Sequence, residues 1–482
     1  MLADEKSFWD GRIASINSLI QESLKMVDVK ELLEAVKGFP AKSGSGKDAR
    51  LEKTVLDALD HEARVLKATD SALKDFQKFA GTALAFFRDG FYADPSRLKR
   101  STQVPPQVVL HTLLRELSTD LEIFQRSLQQ RRLVNGQVSN HLFMLSVGDR
   151  VAAAALKPAF DAKLLEQGTV ITHLGDDFDI RLVPYSPALL IEMPFTSGSV
   201  FAGNAIRPLP GHEHLALLHE VGHYVYHHGK IPNTGLTVEA TLTGELFKQG
   251  ITGGLANWLE ELFADCYGLL VGGPVMAYSY QERLSQESPE ALMVDTGDHP
   301  ISNLRPLIQS ETLRMIRAGS KVMYQIAPGL LDNNWHEFVD GKDLRNEVFQ
   351  LQGVSRPISG GTIIMGLAPI IQKILDVLAP LQAGTKFEPW SKDLVPGQNL
   401  RKLSEQFEGG DFLSPVSGIE NGNKDGRPDP TEIYHRTTGR VLPEAEWRPL
   451  FEFEGWSTEF SISIIPGKIG DMPSKVGDMP SN

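Results

Sequence analysis

A single cysteine, Cys266, stands in a chain of 482 residues. No intramolecular disulfide can form, so the fold does not depend on an oxidising compartment. Long uncharged apolar runs are also missing. The most apolar stretch, "GTIIMGLAPIIQKILDVLAPL" (Gly361–Leu381), is broken by Lys373 and Asp376. A bilayer span needs about 20 nearly uncharged residues, so the expectation is a buried helix and no membrane span. The N-terminal "MLADEKSFWDGRIASINSLI" is acidic and has no apolar run before a small-residue cleavage site. It reads as no signal peptide, and the expected location is cytoplasmic. Basic charge is in deficit: 61 Asp and Glu face 48 Lys and Arg, for a net charge of −13. Binding to a phosphate backbone needs a basic surface, so no nucleic-acid partner is expected.

What is present suits a globular protein: 41% of the residues are apolar, enough for a sizeable core. The length allows several domains. Residues 1–37 read as helix. "AKSGSGKD" (Ala41–Asp48) looks like a phosphate-binding loop, but that motif needs Gly where Ala41 stands and Ser or Thr where Asp48 stands. It reads as a linker. Val55, Leu56, Leu59, Leu66, Leu73 and Phe76 recur at helical spacing, and "VPPQVVLHTLLRELSTDLEIFQRSLQQRRL" enters a further helix through its prolines. Residues 1–150 are therefore expected to be an all-helical domain.

After Gly168 the pattern changes. "TVITHLGDDFDIRLVPYSPALLIEMPF" is β-branched and aromatic and is broken by Gly, Asp and Pro; it predicts two or three strands. "SGSVFAGNAIRPLP" predicts one more, stopped by Pro208 and Pro210. Helical patterns then continue to about Leu381. Residues 151–385 form the second expected domain. Residues 386–482 are loop-rich, with one hairpin expected in "RVLPEAEWRPLFEFEGW" and a mobile tail of two heptapeptides, "KIGDMPS" and "KVGDMPS". The expected class is α+β, mostly helical, with a small mixed sheet packed on two helices.

The chemistry concentrates in "LALLHEVGHYVYHHGK" (Leu215–Lys230). Residues four apart share one helix face, so His219 and His223 can offer two imidazole nitrogens to one ion. Glu220 is rotated to one side, where it can reach water beside that ion. Two ligands and a general base on one helical turn are the chemistry of His-Glu-x-x-His. Leu217, Leu218, Val221 and Val225 form the apolar face. Gly222 costs about 1 kcal/mol of helix stability relative to Ala, which close approach by another backbone would explain.

A catalytic zinc needs a third protein ligand and an open position. "NWLEELFADCYGLL" (Asn257–Leu270) supplies a second helix. Glu261 and Asp265 share a stripe, so Glu261 can be the third ligand and Asp265 can accept the spare N–H of a ligand histidine. Glu260 points elsewhere and reads as a solvated or hydrogen-bonded neighbour. His212, His214, His227 and His228 read as surface or supporting groups.

His219-Glu220-x-x-His223 followed by Glu261-x-x-x-Asp265 resembles the gluzincin class of zinc metallopeptidases, without pointing to a subfamily. The resemblance covers about a fifth of the chain. It implies a zincin-like domain and one catalytic Zn2+ held by His219, His223 and Glu261. It further implies Glu220 as base and a protein or peptide substrate. It also implies a later donor to the oxyanion, for which His299 and Arg305 are the local candidates, and an Asn-Ala edge strand that reads the substrate main chain, here Asn204 and Ala205. The 37 residues between His223 and Glu261 exceed what thermolysin-like enzymes use there, and they could form a lid or specificity insert. Two rival readings are a non-peptidase zinc hydrolase and a helical scaffold with a non-catalytic zinc site. "NGNKDGRPDPTE" (Asn421–Glu432) partly matches a calcium loop, but Asn421 replaces Asp and Pro428 and Pro430 intrude. It reads as an ordinary turn.

Overall fold

Among the described residues of the first third of the chain, helical spacing becomes α1 (Ala3–Met26), α2 (Lys47–Ala85), α3 (Pro106–Gln130) and α4 (Asn140–Asp161). They belong to a computed structural model that describes residues 3–27, 47–85, 106–133, 140–166, 168–183, 185–194, 200–202, 205–207, 215–250, 254–316, 322–342, 348–352 and 354–384. The expected C-terminal region 386–482, with its hairpin, its calcium-loop look-alike and its repeats, lies outside these residues. The first helix is described as Ala3–Met26, and residues 28–37 of the expected helix lie outside the described residues. Leu66, Leu73 and Phe76 of α2 are buried, as their spacing requires.

Three strands follow: β1 (Thr169–Gly175), β2 (Asp179–Leu182) and β3 (Ala188–Pro194). Their order in the sheet is β1-β3-β2, with β1 parallel and β2 antiparallel to β3. The molecule is thus mostly helical with a small mixed sheet. Ala188, Leu189, Leu190, Ile191 and Met193 of the central strand are all fully buried, the near-continuous apolar run of a strand covered on both faces. Helices α2, α3 and α4 pack on β1. Arg131, just past α3, ties them together below the surface. Its guanidinium reaches Glu62 Oε2 at 3.0 Å, Asp149 Oδ2 at 2.7 Å and the Thr172 carbonyl at 2.9 Å.

A separate hairpin, β4 (Val200–Ala202) and β5 (Ala205–Arg207), stands where one strand was expected. Then come α5 (Ala216–His228), α6 (Val238–Lys248), the short α7 (Gly254–Asn257) and α8 (Leu259–Leu284). Helix α8 runs past the expected Met276, but it bends at Gly273 (φ 64°), immediately before Pro274. Proline lacks the N–H that would continue the ladder, and glycine alone adopts this φ without strain. The remaining elements are α9 (Pro289–Met293), α10 (Arg305–Met315), α11 (Val322–Gly341), the two-residue strands β6 (Val348–Phe349) and β7 (Ile358–Ser359), α12 (Gly360–Val377) and α13 (Ala379–Gly384). The β6–β7 pair interrupts what the sequence presents as continuous helix. By length and composition α12 is the one helix among the described residues that could cross a membrane. Its stripe of Ile363, Leu367, Ile370, Ile371, Ile374 and Leu375 is buried in the protein.

One apolar cluster runs from Ile13 to Leu381, and residue 150 falls inside α4. At the centre of this cluster α5 packs along α8 and against β2 and β3. Tyr224 of α5 donates to the Pro187 carbonyl at 3.0 Å, and Tyr267 of α8 donates to the Ala155 carbonyl at 2.6 Å. These bonds hold both helices against the sheet and the N-terminal helices.

Candidate metal centre

Every residue of α5 from Leu217 to Tyr226 is buried, including His219, Glu220 and His223. A helix this deep must place its polar groups against partners, and α8 supplies them. The two helices approach closely because Gly222 has no side chain. A Cβ there would meet the Ala264 Cα at 2.6 Å and the Ala264 carbonyl at 2.9 Å. The glycine that lowers helix propensity is therefore what brings Glu261, in the first turn of α8, over the histidine pair.

One donor atom each from His219, His223 and Glu261 lie within 4.8 Å of one another, and all three residues are buried. The His219 and His223 Nε2 atoms are 3.1 Å apart. Glu261 Oε2 is 3.3 Å from the first, and Oε1 is 3.4 Å from the second. Bonds of about 2.0–2.1 Å to a tetrahedral ion set its ligands about 3.3–3.4 Å apart; the two imidazole nitrogens stand about that close, and each meets a different oxygen of Glu261. Glu261 Oε2 is moreover buried without a hydrogen bond. The group could hold a metal ion.

Each histidine is backed by a carboxylate on α8. Asp265 Oδ1 lies 3.1 Å from His219 Nδ1, in the supporting position expected from its stripe. Glu260 Oε1 lies 2.9 Å from His223 Nδ1 and 2.9 Å from His227 Nε2. His227 Nδ1 continues to Glu239 Oε2 at 3.3 Å. Glu260 is thus a hydrogen-bonded neighbour, and its partners are a candidate ligand and the histidine one turn beyond it. Nothing in the sequence marked Glu260 for this task, because His223 and Glu260 are 37 residues apart and meet only through the packing of α5 and α8.

Arg305 opens α10 and lies behind the triad, buried. Its Nε and Nη2 donate to Asp265 Oδ2 and Oδ1 at 2.8 and 2.9 Å. Nη2 also sits 3.1 Å from Glu261 Oε2, and the guanidinium stacks 4.5 Å over the Tyr280 ring. The sequence reading offered Arg305 as an oxyanion donor. Here its donors face the two carboxylates and His219, whose Nε2 lies 3.1 Å from Nη2. Tyr280 carried no sequence signal: it lies under Arg305 on the part of α8 beyond the bend at Gly273. His299 is on the open side. Its side chain is 56% exposed, and Nε2 lies 3.2 Å from Glu261 Oε1.

These contacts set the charges. Burial raises the Asp265 carboxyl, but the Arg305 charge and the His219 bond outweigh it and leave the group at about 2. The same opposition, with His299 added, drives Glu261 far below the usual carboxylate range. Bonds from His223 and His227 hold Glu260 at about 2 against burial. Burial and Arg305 push His219 down, while Asp265 and Glu261 push it up further, to about 9. All three carboxylates are anions at neutral pH, the form a cation requires.

Glu220 is buried and makes no hydrogen bond or ion pair among the described residues. His228 stacks on Tyr224, ring centroids 4.5 Å apart. Ala205 begins β5, paired with Ala202 of β4. Asn204, His212 and His214 lie outside the described residues. No family model, no curated protein and no solved structure matches the chain.

Proposed function

We propose that this protein is a zinc-dependent metallopeptidase of the gluzincin type, with a zincin-like arrangement of a small sheet over two metal-bearing helices. The observation that carries the reading is a buried His219/His223/Glu261 donor set next to Glu220. A site that only holds metal needs no unpartnered carboxylate in its wall. Two imidazoles and one carboxylate, borderline and hard donors together, suit zinc. When bound, the ion would supply Lewis acidity, acidifying water and polarising a carbonyl.

The chain's own residues do the rest. Glu220 takes a proton from water as it attacks the scissile carbonyl, and returns that proton to the leaving amine. With no partner among the described residues, its carboxylate is free for both transfers. His299, beside Glu261 and open to solvent, donates to the carbonyl oxygen as negative charge develops there. Asp265 and Glu260 orient His219 and His223. Arg305 holds Asp265 and Glu261 in place. The substrate is a protein or peptide, whose main chain would meet an edge strand such as the one Ala205 begins.

The test combines metal content with proteolysis of a peptide library read by mass spectrometry. The wild type should bind one zinc and cleave peptides. Glu220→Gln keeps size and metal but loses the base, so it should bind zinc normally with turnover lower by ~10²–10⁴. Peptide cleavage undiminished in Glu220→Gln would assign the proton transfers to another group. Zinc binding with cleavage only of small amides or esters would favour a non-peptidase hydrolase.

A further inference from the structure

One oxygen carries an unusual load. Glu260 Oε1 lies 2.9 Å from His223 Nδ1 and also 2.9 Å from His227 Nε2. An ionised carboxylate only accepts hydrogen bonds, so both nitrogens must carry protons. In a neutral His223 ring, a proton on Nδ1 leaves the Nε2 lone pair on the side of His219 and Glu261. The arrangement does not end at α8. His227 also meets Glu239 in the first turn of α6 at 3.3 Å, and α6 belongs to the long segment between the two motifs.

That segment is folded back onto the end of α5. The Val238 amide donates to the Gly229 carbonyl at 2.8 Å, and Lys230 bridges Thr237. Thr237 caps α6 by accepting from the Ala240 amide. Glu239 is thus delivered to His227 by a fixed turn. Farther along, Glu245 of α6 lies 3.8 Å from Lys373 of α12, so the segment is fastened at both ends of its helix.

We propose that Glu260 and His227 are positioning residues that hold His223 as its Nδ1–H tautomer, and that Glu239 extends this hold to α6, so that the segment between the motifs contributes to metal retention. The proposal rests on the metal-centre reading above. The two histidines are then held from different sides. Asp265, gripped by Arg305, secures His219 from the core; Glu260, gripped by His227, secures His223 from the inter-motif segment. Glu260 acts through His223 and need not touch substrate.

The full-length protein tests this with zinc alone, by competition against a graded chelator series. Cobalt(II) substitution reads the ligand field by its visible absorption, and thermal unfolding of metal-free protein reads folding. Glu260→Ala should weaken zinc binding about 10–100-fold and alter the cobalt spectrum while metal-free melting stays put. Glu260→Gln keeps one acceptor oxygen and should fall between wild type and Glu260→Ala. His227→Ala should weaken zinc less than Glu260→Ala, and adding it to Glu260→Ala should change nothing further. Glu239→Gln should give a smaller loss in the same direction. Wild-type zinc affinity and cobalt spectrum in Glu260→Ala, with His219→Ala losing metal, would overturn the proposal and leave the metal centre standing. If Glu260→Ala does not fold, wild-type affinity in both Glu260→Gln and His227→Ala would overturn it equally. A wild type that binds no zinc would remove both readings.

Discussion

Arg305→Lys keeps a positive charge and removes a fork. The guanidinium serves both oxygens of Asp265 at 2.8 and 2.9 Å and still reaches Glu261 at 3.1 Å. An ammonium cannot present that planar pair of donors. Within a buried site the lost bond to a charged group costs about 1.5–3 kcal/mol, so metal-free Arg305→Lys should melt lower than wild type. An unchanged melting temperature would mean that the fork is dispensable. Asp265→Asn asks a narrower question. It retains the shape and one acceptor oxygen but loses the charge that draws both His219 and Arg305. Zinc affinity, measured by chelator competition, should fall ~10–100-fold with the circular dichroism spectrum preserved. Wild-type affinity in Asp265→Asn would make the Glu261/Asp265 stripe a coincidence of helical spacing.

Among the elements, the crossing of α5 and α8 is the feature on which the site depends. Gly222 and Gly244 separate the intrinsic effect of glycine from its packing role. Both are helical glycines, and replacing either with alanine should gain up to about 1 kcal/mol in helix propensity. A Cβ on Gly244 meets nothing within 4 Å, so Gly244→Ala should raise the melting temperature slightly. A Cβ on Gly222 would overlap the backbone of Ala264. Overpacking of that kind costs about 1–3 kcal/mol, and here it also forces apart the helices that carry His219, His223 and Glu261. Gly222→Ala should therefore lower both the melting temperature and zinc affinity. If Gly222→Ala behaves like Gly244→Ala, α5 and α8 have slack that the 2.6 Å approach denies.

For the molecule as a whole, the buried Arg131 cluster joins α2, α3, α4 and β1 at a distance in sequence from α5 and α8. Arg131, Glu62 and Asp149 are each about 1–2% exposed in their side chains. Removing one partner of a buried ion pair costs about 3–5 kcal/mol, because the charge left behind has no compensation. Arg131→Met should take from Glu62 and Asp149 the guanidinium that both of them bond, and lower the melting temperature by several degrees or more. Adding Glu62→Gln and Asp149→Asn should recover part of the loss. No loss in Arg131→Met alone would mean that water or another cation reaches the cluster.

What the sequence determined by itself is what depends on neighbours along the chain. Helical periodicity located α2 and α3, and β-branched clusters bounded by turn residues located β1, β2 and β3. His219 and His223 share a face because the helix repeat is 3.6 residues, which requires no knowledge of the fold. Glu261 and Asp265 share one for the same reason. The structure then brings His219, His223 and Glu261 together, a meeting that residue spacing could suggest but not place. The tertiary structure alone decided what lies across the gap between helices. Glu260 turned out to bond two histidines, Arg305 to grip two acids from behind, and Tyr280 to lie beneath it after a bend at Gly273. His219 and Arg305 are 86 residues apart, and no local pattern records such a contact. Their distance follows from the closeness of α5 and α8 at Gly222 and from the packing of α10 on α8. Both are set by the shape of the buried surfaces, which exists only once the chain has folded.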